Sequence, residues 1–386
     1  MSRSPIIAVD LTAAGEHPAA WRQNDSRVAP QVAGALTHLA GLVDGTTHLA
    51  AAQLADAAGV DLVTLGETFE APADEPGRVT TQLDALGLAA RIAPATSRIG
   101  LVPTITTTHT EPFHLQAEIA TLDWVSQGRA GWLVEVSRTR EAAVAVGRRG
   151  VAPAAQLWQE ATDVVQASRK LWDSWEDDAI IRDVATGRFV DRDKLHYVDH
   201  AGPTFSIKGP SIVPRPPQGN PLVVVKVTDE PSLGTAAYAD VVLLRLAGDD
   251  LAHRLQQVRR AVAEAGRDPS SIRVLVSASF LLGENDDAAT ERVQQLTALF
   301  AGPYPIDVVG TAKALRERIQ TWLALGADGV HLRPAVLGID LPALLAGLVP
   351  TLRAQSYVTD DRAPQATLRQ RLGLQRPLTQ YAATAS

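Results

Sequence analysis

Residues 99–136 read IGLVPTITTTHTEPFHLQAEIATLDWVSQGRAGWLVEV, and this stretch decides the fold class. Its first part, 99–105, is a short apolar run of the kind that forms a buried strand. Residues 112–125 are predicted to form a helix that ends near Gly128. Residues 130–136 form a second apolar run. The stretch therefore predicts a strand–helix–strand unit, which joins two parallel strands.

The same alternation continues along the chain and predicts a (β/α)8 TIM barrel. Eight strand candidates followed by helices favour a closed barrel over an open doubly wound sheet, which is the alternative. No Gly-x-Gly-x-x-Gly follows the first strand, so the dinucleotide-binding form of the open sheet has little support. The predicted strands are 6–11, 61–65, 99–105, 130–136, 222–227, 239–245, 272–282 and 329–333. The predicted helices are 49–58, 83–95, 112–125, 154–171, 232–238, 249–265, 286–300, 312–325 and 341–352.

A long segment interrupts this rhythm before the fifth strand. From Leu171 to Gly219 two tryptophans stand among acidic residues, and a turn-rich run follows them. Its composition predicts a structured loop rather than a helix or a strand, and long loops in compact domains are usually functional or disordered. We expect a single barrel domain over 1–354 with an inserted segment over 173–220. Residues 355–386 are expected to form a C-terminal arm, packed over the barrel or onto a second subunit.

Composition excludes several classes of function. The net charge of −7 argues against a nucleic-acid partner, which calls for a basic face. The chain has no cysteine, so disulfides, thiolate catalysis and cysteine-based metal sites are excluded. No secretory signal and no membrane-spanning run is expected, which favours a cytoplasmic protein. The acids Glu176, Asp177 and Asp178 have no histidine at metal-ligand spacing, so no metal site is predicted.

The reactive groups of such a barrel lie where the strands end. After the third strand, the hydroxyls of 106–108 stand beside His109 and could bind a polar heteroaromatic ring. The alternative is a solvated strand end that starts the next helix. His17 and His109 are candidate proton donors, because imidazole titrates near neutrality, although a lone histidine is more often a surface or satisfied residue. His331 and Arg333 could hold an anion or form a salt bridge.

Several short motifs follow one another with a spacing found in a known family. They are Gly15-Glu16-His17 with Trp21-Arg22, Ile99-Gly100-Leu101, Thr106-Thr107 with Glu111-Pro112-Phe113, Leu122-Asp123, Ser126-Gln127-Gly128-Arg129-Ala130-Gly131-Trp132, the segment 171–219, and Thr367-Leu368-Arg369-Gln370-Arg371-Leu372-Gly373-Leu374. In this order the chain resembles flavin-dependent monooxygenases of the bacterial-luciferase-like superfamily. The branch it resembles includes nitrilotriacetate and dibenzothiophene-sulfone monooxygenases.

The resemblance implies that the barrel binds reduced FMN, supplied by a separate flavin reductase, and uses O2 to oxidise a small organic substrate. The cofactor then performs the oxidation chemistry, and the protein positions the cofactor. Glu67 occupies the family's acidic position near the flavin, Thr106 faces its ring, and Ser137 lies in the pocket of the fourth strand. A homodimer or tetramer is also implied.

The chain departs from the family where the family grips the FMN phosphate. Leu133 and Ala145 replace asparagines, and Trp158 replaces a tyrosine that supplies a hydroxyl. The fifth strand ends in residues 225–230, where Lys226 and Thr228 could replace the usual ligands but two acids follow. Such losses predict weaker FMN binding, because each charge-assisted hydrogen bond contributes roughly 1.5–3 kcal/mol. Two alternatives remain: a flavin-free binding or accessory protein, and a user of a different flavin-like cofactor.

Overall fold

A computed structural model describes residues 4–12, 14–23, 39–70, 82–246, 250–300, 302, 304–354 and 366–381. It contains thirteen strands within these ranges, and eight of them form one parallel barrel. In chain order they are β1 (Ile6–Asp10), β2 (Leu62–Leu65), β3 (Gly100–Thr106), β4 (Gly131–Glu135), β5 (Ile180–Asp183), β6 (Arg188–Val190), β7 (His200–Ala201), β8 (Ser206–Ile207), β9 (Leu222–Val227), β10 (Val241–Arg245), β11 (Arg273–Leu282), β12 (Val308–Gly310) and β13 (Gly329–Pro334).

The barrel is closed, which confirms the predicted fold class and excludes the open doubly wound sheet. Its order is β1, β2, β3, β4, β9, β10, β11 and β13, and every neighbouring pair is parallel. Two pairings close the ring: Ile6 lies opposite Gly329, and Val241 lies opposite Arg273. The strand ends that carry functional residues in such barrels therefore converge on one face.

Helices surround the barrel, and polar side chains start most of them. Glu111 accepts a hydrogen bond from the His114 N–H at 2.7 Å, and Pro112 takes the first helical position, where its missing N–H costs nothing. This confirms the helix over 112–125. The helices are Leu39–Asp44, Thr46–Ala58, Ala85–Ile92, Pro112–Val125, Arg140–Val146, Ala154–Asp173, Glu230–Ala236, Leu251–Glu264, Asp286–Leu299, Ala312–Ala324, Leu337–Gly347, Val349–Ala354 and Leu368–Arg371.

Two predicted boundaries were wrong, and one short strand was missed. Leu171, Trp172 and Asp173 are the last turn of Ala154–Asp173, not part of a loop, because Trp172 is fully buried and donates from Nε1 to the Gln116 carbonyl at 3.0 Å. The last long helix begins at Leu337, four residues before the predicted start, and includes Pro342. The short strand β12 was not predicted; it pairs only with the end of β11, which extends beyond its neighbours.

The segment between Ala154–Asp173 and β9 contains two small antiparallel hairpins, β5–β6 and β7–β8. Arg215 ties this segment to the C-terminal residues. It pairs with Asp177 through Nη1 at 3.0 Å and donates from Nη2 to the Pro377 carbonyl at 2.8 Å. Arg376 pairs with the same Asp177 at 2.6 Å. Hydrogen bonds from Arg376 and Arg215 lower the pKa of Asp177 to about 2, so this carboxylate stays ionised and is shared by two cations.

The C-terminal residues 366–381 close the N-terminal face of the barrel. Leu368, Leu372 and Leu374 join the apolar cluster inside the barrel, which includes Leu62 and Val102. Gly100 makes this possible, because a Cβ at that position would lie 2.5 Å from the Leu368 side chain. No helix in the part of the chain that the structure describes is long and apolar enough to cross a membrane.

Candidate active site

The hydroxyls at the ends of β3 and β4 form one cluster, in which the threonines are buried and Ser137 is half-buried. Thr106 Oγ1 and Ser137 Oγ are 3.0 Å apart, so the structure brings these two predicted residues together. The Ser137 backbone N–H donates to Thr108 Oγ1 at 2.9 Å, which holds the β4 loop against the β3 loop. Thr106, Thr107 and Thr108 are all buried. Buried hydroxyls with spare hydrogen-bonding capacity can bind the polar edge of a ring.

His109 adds an unpartnered polar group beside this cluster. Its ring is buried, and neither ring nitrogen has a hydrogen-bond partner in the described residues. The ring stacks on Phe69 with centroids 6.3 Å apart. Burial lowers its pKa, with a further contribution from the Arg149 guanidinium, so the imidazole is neutral at neutral pH. A buried polar group without a partner is rare in folded proteins and marks a position where a ligand can bind.

Glu67 lies after β2 and has an unusual protonation state. It accepts a hydrogen bond from the Ala85 N–H at 2.8 Å. Burial raises its pKa to about 7, although that hydrogen bond opposes the shift, and the nearby Asp84 and Glu118 carboxylates raise it further. A carboxyl that titrates near neutrality can donate or accept a proton at physiological pH.

The cations expected near a phosphate are already paired with carboxylates. Arg138 Nη1 and Asp229 Oδ2 are 2.5 Å apart, and Lys226 Nζ is 3.6 Å from Glu135 Oε2. Asp229 is fixed as well, because it caps Glu230–Ala236 by accepting from the Ser232 N–H at 3.0 Å. Desolvation opposes ionisation of Asp229, but the Ser232 and Arg138 hydrogen bonds lower its pKa overall.

Trp158 and Thr228 flank this pair. Trp158 is buried, its Nε1 has no hydrogen-bond partner in the described chain, and the Arg138 guanidinium lies 5.6 Å from its ring centroid. Thr228 is exposed, and its backbone N–H donates to Ser232 Oγ at 3.1 Å. The indole N–H and the Thr228 hydroxyl are therefore the neutral groups that this end of the site offers.

His17 lies in a different cluster on the same face. Its Nδ1 accepts from the Ala19 N–H at 3.1 Å, so Nε2 carries the proton, and its ring meets Tyr304 edge-on at 5.1 Å. Burial lowers its pKa. Arg333 pairs with Glu16 and with Asp307, so it forms the end-of-strand ion pair that was one of its two predicted roles. Among the described residues, no contact joins His17 to the hydroxyl cluster of β3 and β4.

A polar chain inside the barrel was not predicted. Thr64 Oγ1 donates to Asp10 Oδ1 at 2.6 Å, so it must accept from His331 Nε2 at 2.9 Å, and His331 Nδ1 accepts from Ser277 Oγ at 2.9 Å. Burial holds the pKa of His331 well below its usual range, which keeps the ring neutral. Both ring nitrogens of His331 are therefore engaged in hydrogen bonds inside the barrel, and neither is free to bind an anion.

The site thus fits one end of the expected FMN better than the other. The hydroxyl pair, Glu67 and the unpartnered His109 suit a polar ring. At the phosphate end, Arg138 and Lys226 are neutralised by fixed carboxylates, and a phosphate group would have to compete with Asp229.

Comparison with known proteins agrees with the architecture. N-acetyl-S-(2-succino)cysteine monooxygenase of Bacillus subtilis (strain 168) is 26% identical to the chain, over 97% of this chain and 98% of that protein. One of the pristinamycin IIA synthase subunits of Streptomyces pristinaespiralis is 32% identical, over 87% and 91%. The structure of EDTA monooxygenase from Chelativorans sp. BNC1 superimposes with a TM-score of 0.82 at 21% identity, over 97% of this chain and 99% of that chain, which supports the barrel fold.

The family match covers most of the barrel. Residues 24–331 match the family model for luciferase-like monooxygenases. Nitrilotriacetate monooxygenase component A and dibenzothiophene-sulfone monooxygenase are also similar to the chain, which confirms the predicted branch. With the closed barrel and the cluster of polar groups at the ends of β2, β3 and β4, these matches show that the chain belongs to the luciferase-like monooxygenase family.

Proposed function

We propose that the protein is a monooxygenase that oxidises a small organic substrate with reduced FMN and O2. The observation that carries this proposal is the pair of hydroxyls of Thr106 and Ser137 beside a buried His109 that has no hydrogen-bond partner in the described residues, in a chain that belongs to a monooxygenase family. A buried imidazole without a partner, beside two hydroxyls with spare acceptors, is rare in a site that binds no ligand.

In this proposal each predicted residue has a defined task. The Thr106 and Ser137 hydroxyls bind the polar edge of the flavin ring, and Glu67 holds or releases a proton beside it. His109 faces the substrate, and His17, with its proton on Nε2, is a second proton donor. Trp158, Lys226 and Thr228 line the phosphate end. When bound, reduced FMN would be the group that reacts with O2. The protein orients the reactants and excludes water.

The proposal extends to partners. We infer that a separate flavin reductase supplies the reduced FMN and that the chain assembles with copies of itself. Both inferences rest on the family; the name of one relative, nitrilotriacetate monooxygenase component A, is that of a protein with more than one component.

Flavin binding is the direct test. The full chain is titrated anaerobically with FMN, reduced FMN, riboflavin and a deazaflavin, and binding is followed by fluorescence and thermal shift. The proposal predicts micromolar binding of reduced FMN that Thr106→Val weakens by about tenfold, the effect of one buried hydrogen bond. The matched control is Thr121→Val, on the outer side of Pro112–Val125, which leaves binding unchanged. No binding of any flavin at millimolar concentration would overturn the proposal.

One observation favours a second candidate, a family member without flavin chemistry that serves as a binding or accessory subunit. Arg138, one of the two cations at the proposed phosphate end, is already paired with Asp229. The relative that is 32% identical is named as one subunit of a synthase. This candidate predicts that no flavin binds to the chain alone. Binding of the deazaflavin but not of FMN would instead indicate a different flavin-like cofactor.

A further inference from the structure

A cleft of about 670 Å³ lies on the N-terminal face of the barrel, opposite the candidate active site. Its floor is formed where three barrel strands begin: Asn220 and Asp240 precede β9 and β10, and Arg273 is the first residue of β11. The C-terminal residues Arg369 and Pro377 form part of its opposite wall. The cleft therefore exists only when the C-terminal residues are packed on the barrel.

The lining of this cleft carries an excess of positive charge. Four arginines and two aspartates line it, which gives a formal charge of +2. Asp240 is buried and pairs with both Arg169, at 3.1 Å, and Arg369, at 3.0 Å, so one carboxylate faces two guanidinium groups. The other acid, Asp268, is exposed and already accepts two hydrogen bonds from Ser270, at 2.8 and 2.6 Å.

Two of the guanidinium groups have donors to spare. Arg169 Nε is buried and has no hydrogen-bond partner in the described chain. Within the described residues, Arg267 donates only from Nη1, to the carbonyls of Ala237 and Ala239 at 2.7 and 2.8 Å. Arg169 and Arg267 both line the cleft. Burial lowers the pKa of Arg267, and the positive charge of Arg169 lowers it further, as expected for two cations that share one cleft. An anion between them would relieve their repulsion.

We propose that this cleft binds a small metabolite through a doubly charged oxyanion, of which a phosphate group is the chemistry that fits best. Guanidinium groups suit phosphate oxygens, and two of them, each with a donor that has no partner among the described residues, line this cleft. The cleft is larger than a phosphate ion, so it has room for the rest of a small molecule.

Titration calorimetry with inorganic phosphate, on the full chain without flavin and against chloride of matched ionic strength, tests the proposal. The wild-type chain binds one phosphate. Arg169→Gln and Arg267→Gln each weaken binding by about tenfold or more, the effect of one lost charge-assisted contact. Arg169→Gln leaves Asp240 paired with Arg369, and a thermal melt confirms that each variant is folded. The matched control Arg318→Gln, at an exposed position of Ala312–Ala324, binds as the wild type does.

A further variant separates this site from the flavin site. Arg138→Gln, on the opposite face, leaves phosphate binding at the cleft intact. If Arg138→Gln abolishes binding and the cleft variants do not, the phosphate occupies the active site and the cleft proposal is overturned, while the proposed function stands. Absence of phosphate binding, or equal binding by all variants, also overturns it. Citrate in place of phosphate distinguishes the source of the anion: tighter binding of citrate assigns the site to polycarboxylates.

Discussion

Glu67→Gln should remove a pH dependence from the stability of the fold. The folded-state pKa of Glu67 is about 7, raised from its ordinary 4.5, first by burial and then by the Asp84 and Glu118 carboxylates, while the Ala85 N–H opposes the shift. Glu118 is itself paired with His114 at 3.0 Å. Between these two pKa values the folded chain keeps a proton that the unfolded chain has lost.

The sign and size of the effect follow from linkage. Since the folded state binds more protons, the free energy of unfolding falls as pH rises from about 4.5 to about 7 and is constant above that range. The full shift corresponds to roughly 3 kcal/mol at 1.36 kcal/mol per unit. Glu67 is partly exposed, and solvent screening reduces the effect to about 1–2 kcal/mol. Glutamine does not titrate and can still accept the Ala85 N–H.

Urea unfolding at pH values from about 5 to about 8 measures the effect. We expect the wild type to lose about 1–2 kcal/mol relative to Glu67→Gln across that range, with the m-values unchanged. Glu70→Gln, an exposed glutamate three residues along, serves as the matched control and should follow the wild type. If the curves of wild type and Glu67→Gln stay parallel at every pH, the argument that burial raises this pKa is wrong.

Three further substitutions probe other parts of the molecule. Asp229→Asn should release Arg138 and strengthen FMN binding by about tenfold, without changing riboflavin binding, in a fluorescence titration. Equal effects on both flavins would show that Asp229 does not oppose a phosphate. Arg215→Ala should lower the free energy of unfolding, measured by urea denaturation, by about 3–5 kcal/mol, because it leaves the buried Asp173 without its cation. A decrease below about 1 kcal/mol would contradict this reasoning. Gly202→Ala should lower the free energy of unfolding by about 1–3 kcal/mol in the same assay, since its Cβ would lie 1.8 Å from the Asp163 carboxylate that His200 holds. An unchanged urea midpoint would show that this carboxylate can move.

Local chemistry made much of the fold predictable. The bounds of Pro112–Val125 and of β9, Leu222–Val227, match their predictions because a capping residue, a proline or a continuous apolar run marks each end. The end of the helix at residues 171–173 was mispredicted as a loop, because tryptophans and acids together are unusual in a helix. Trp172 donates to the carbonyl of Gln116, 56 positions earlier in the chain, and no local pattern shows that contact.

The site was predictable in its position and not in its pairings. The rule that barrel strands end at the functional face placed Thr106, Ser137 and His109 on that face. It could not show that Asp229, 91 residues from Arg138, neutralises it, because that ion pair depends on how β4 and β9 lie side by side. His331 was predicted as a possible anion ligand, whereas in the structure its two ring nitrogens are hydrogen-bonded to Thr64 and Ser277 inside the barrel.

The shared use of Asp177 by Arg215 and Arg376 has a consequence for protein engineering. The segment before β9 and the C-terminal residues are far apart in the sequence, yet each supplies a cation to the same carboxylate. A chimaera that takes only one of the two from a relative would bring together halves of an interface that did not evolve as a pair. The two segments should therefore be exchanged together, as a single cassette, when the specificity of one family member is grafted onto another.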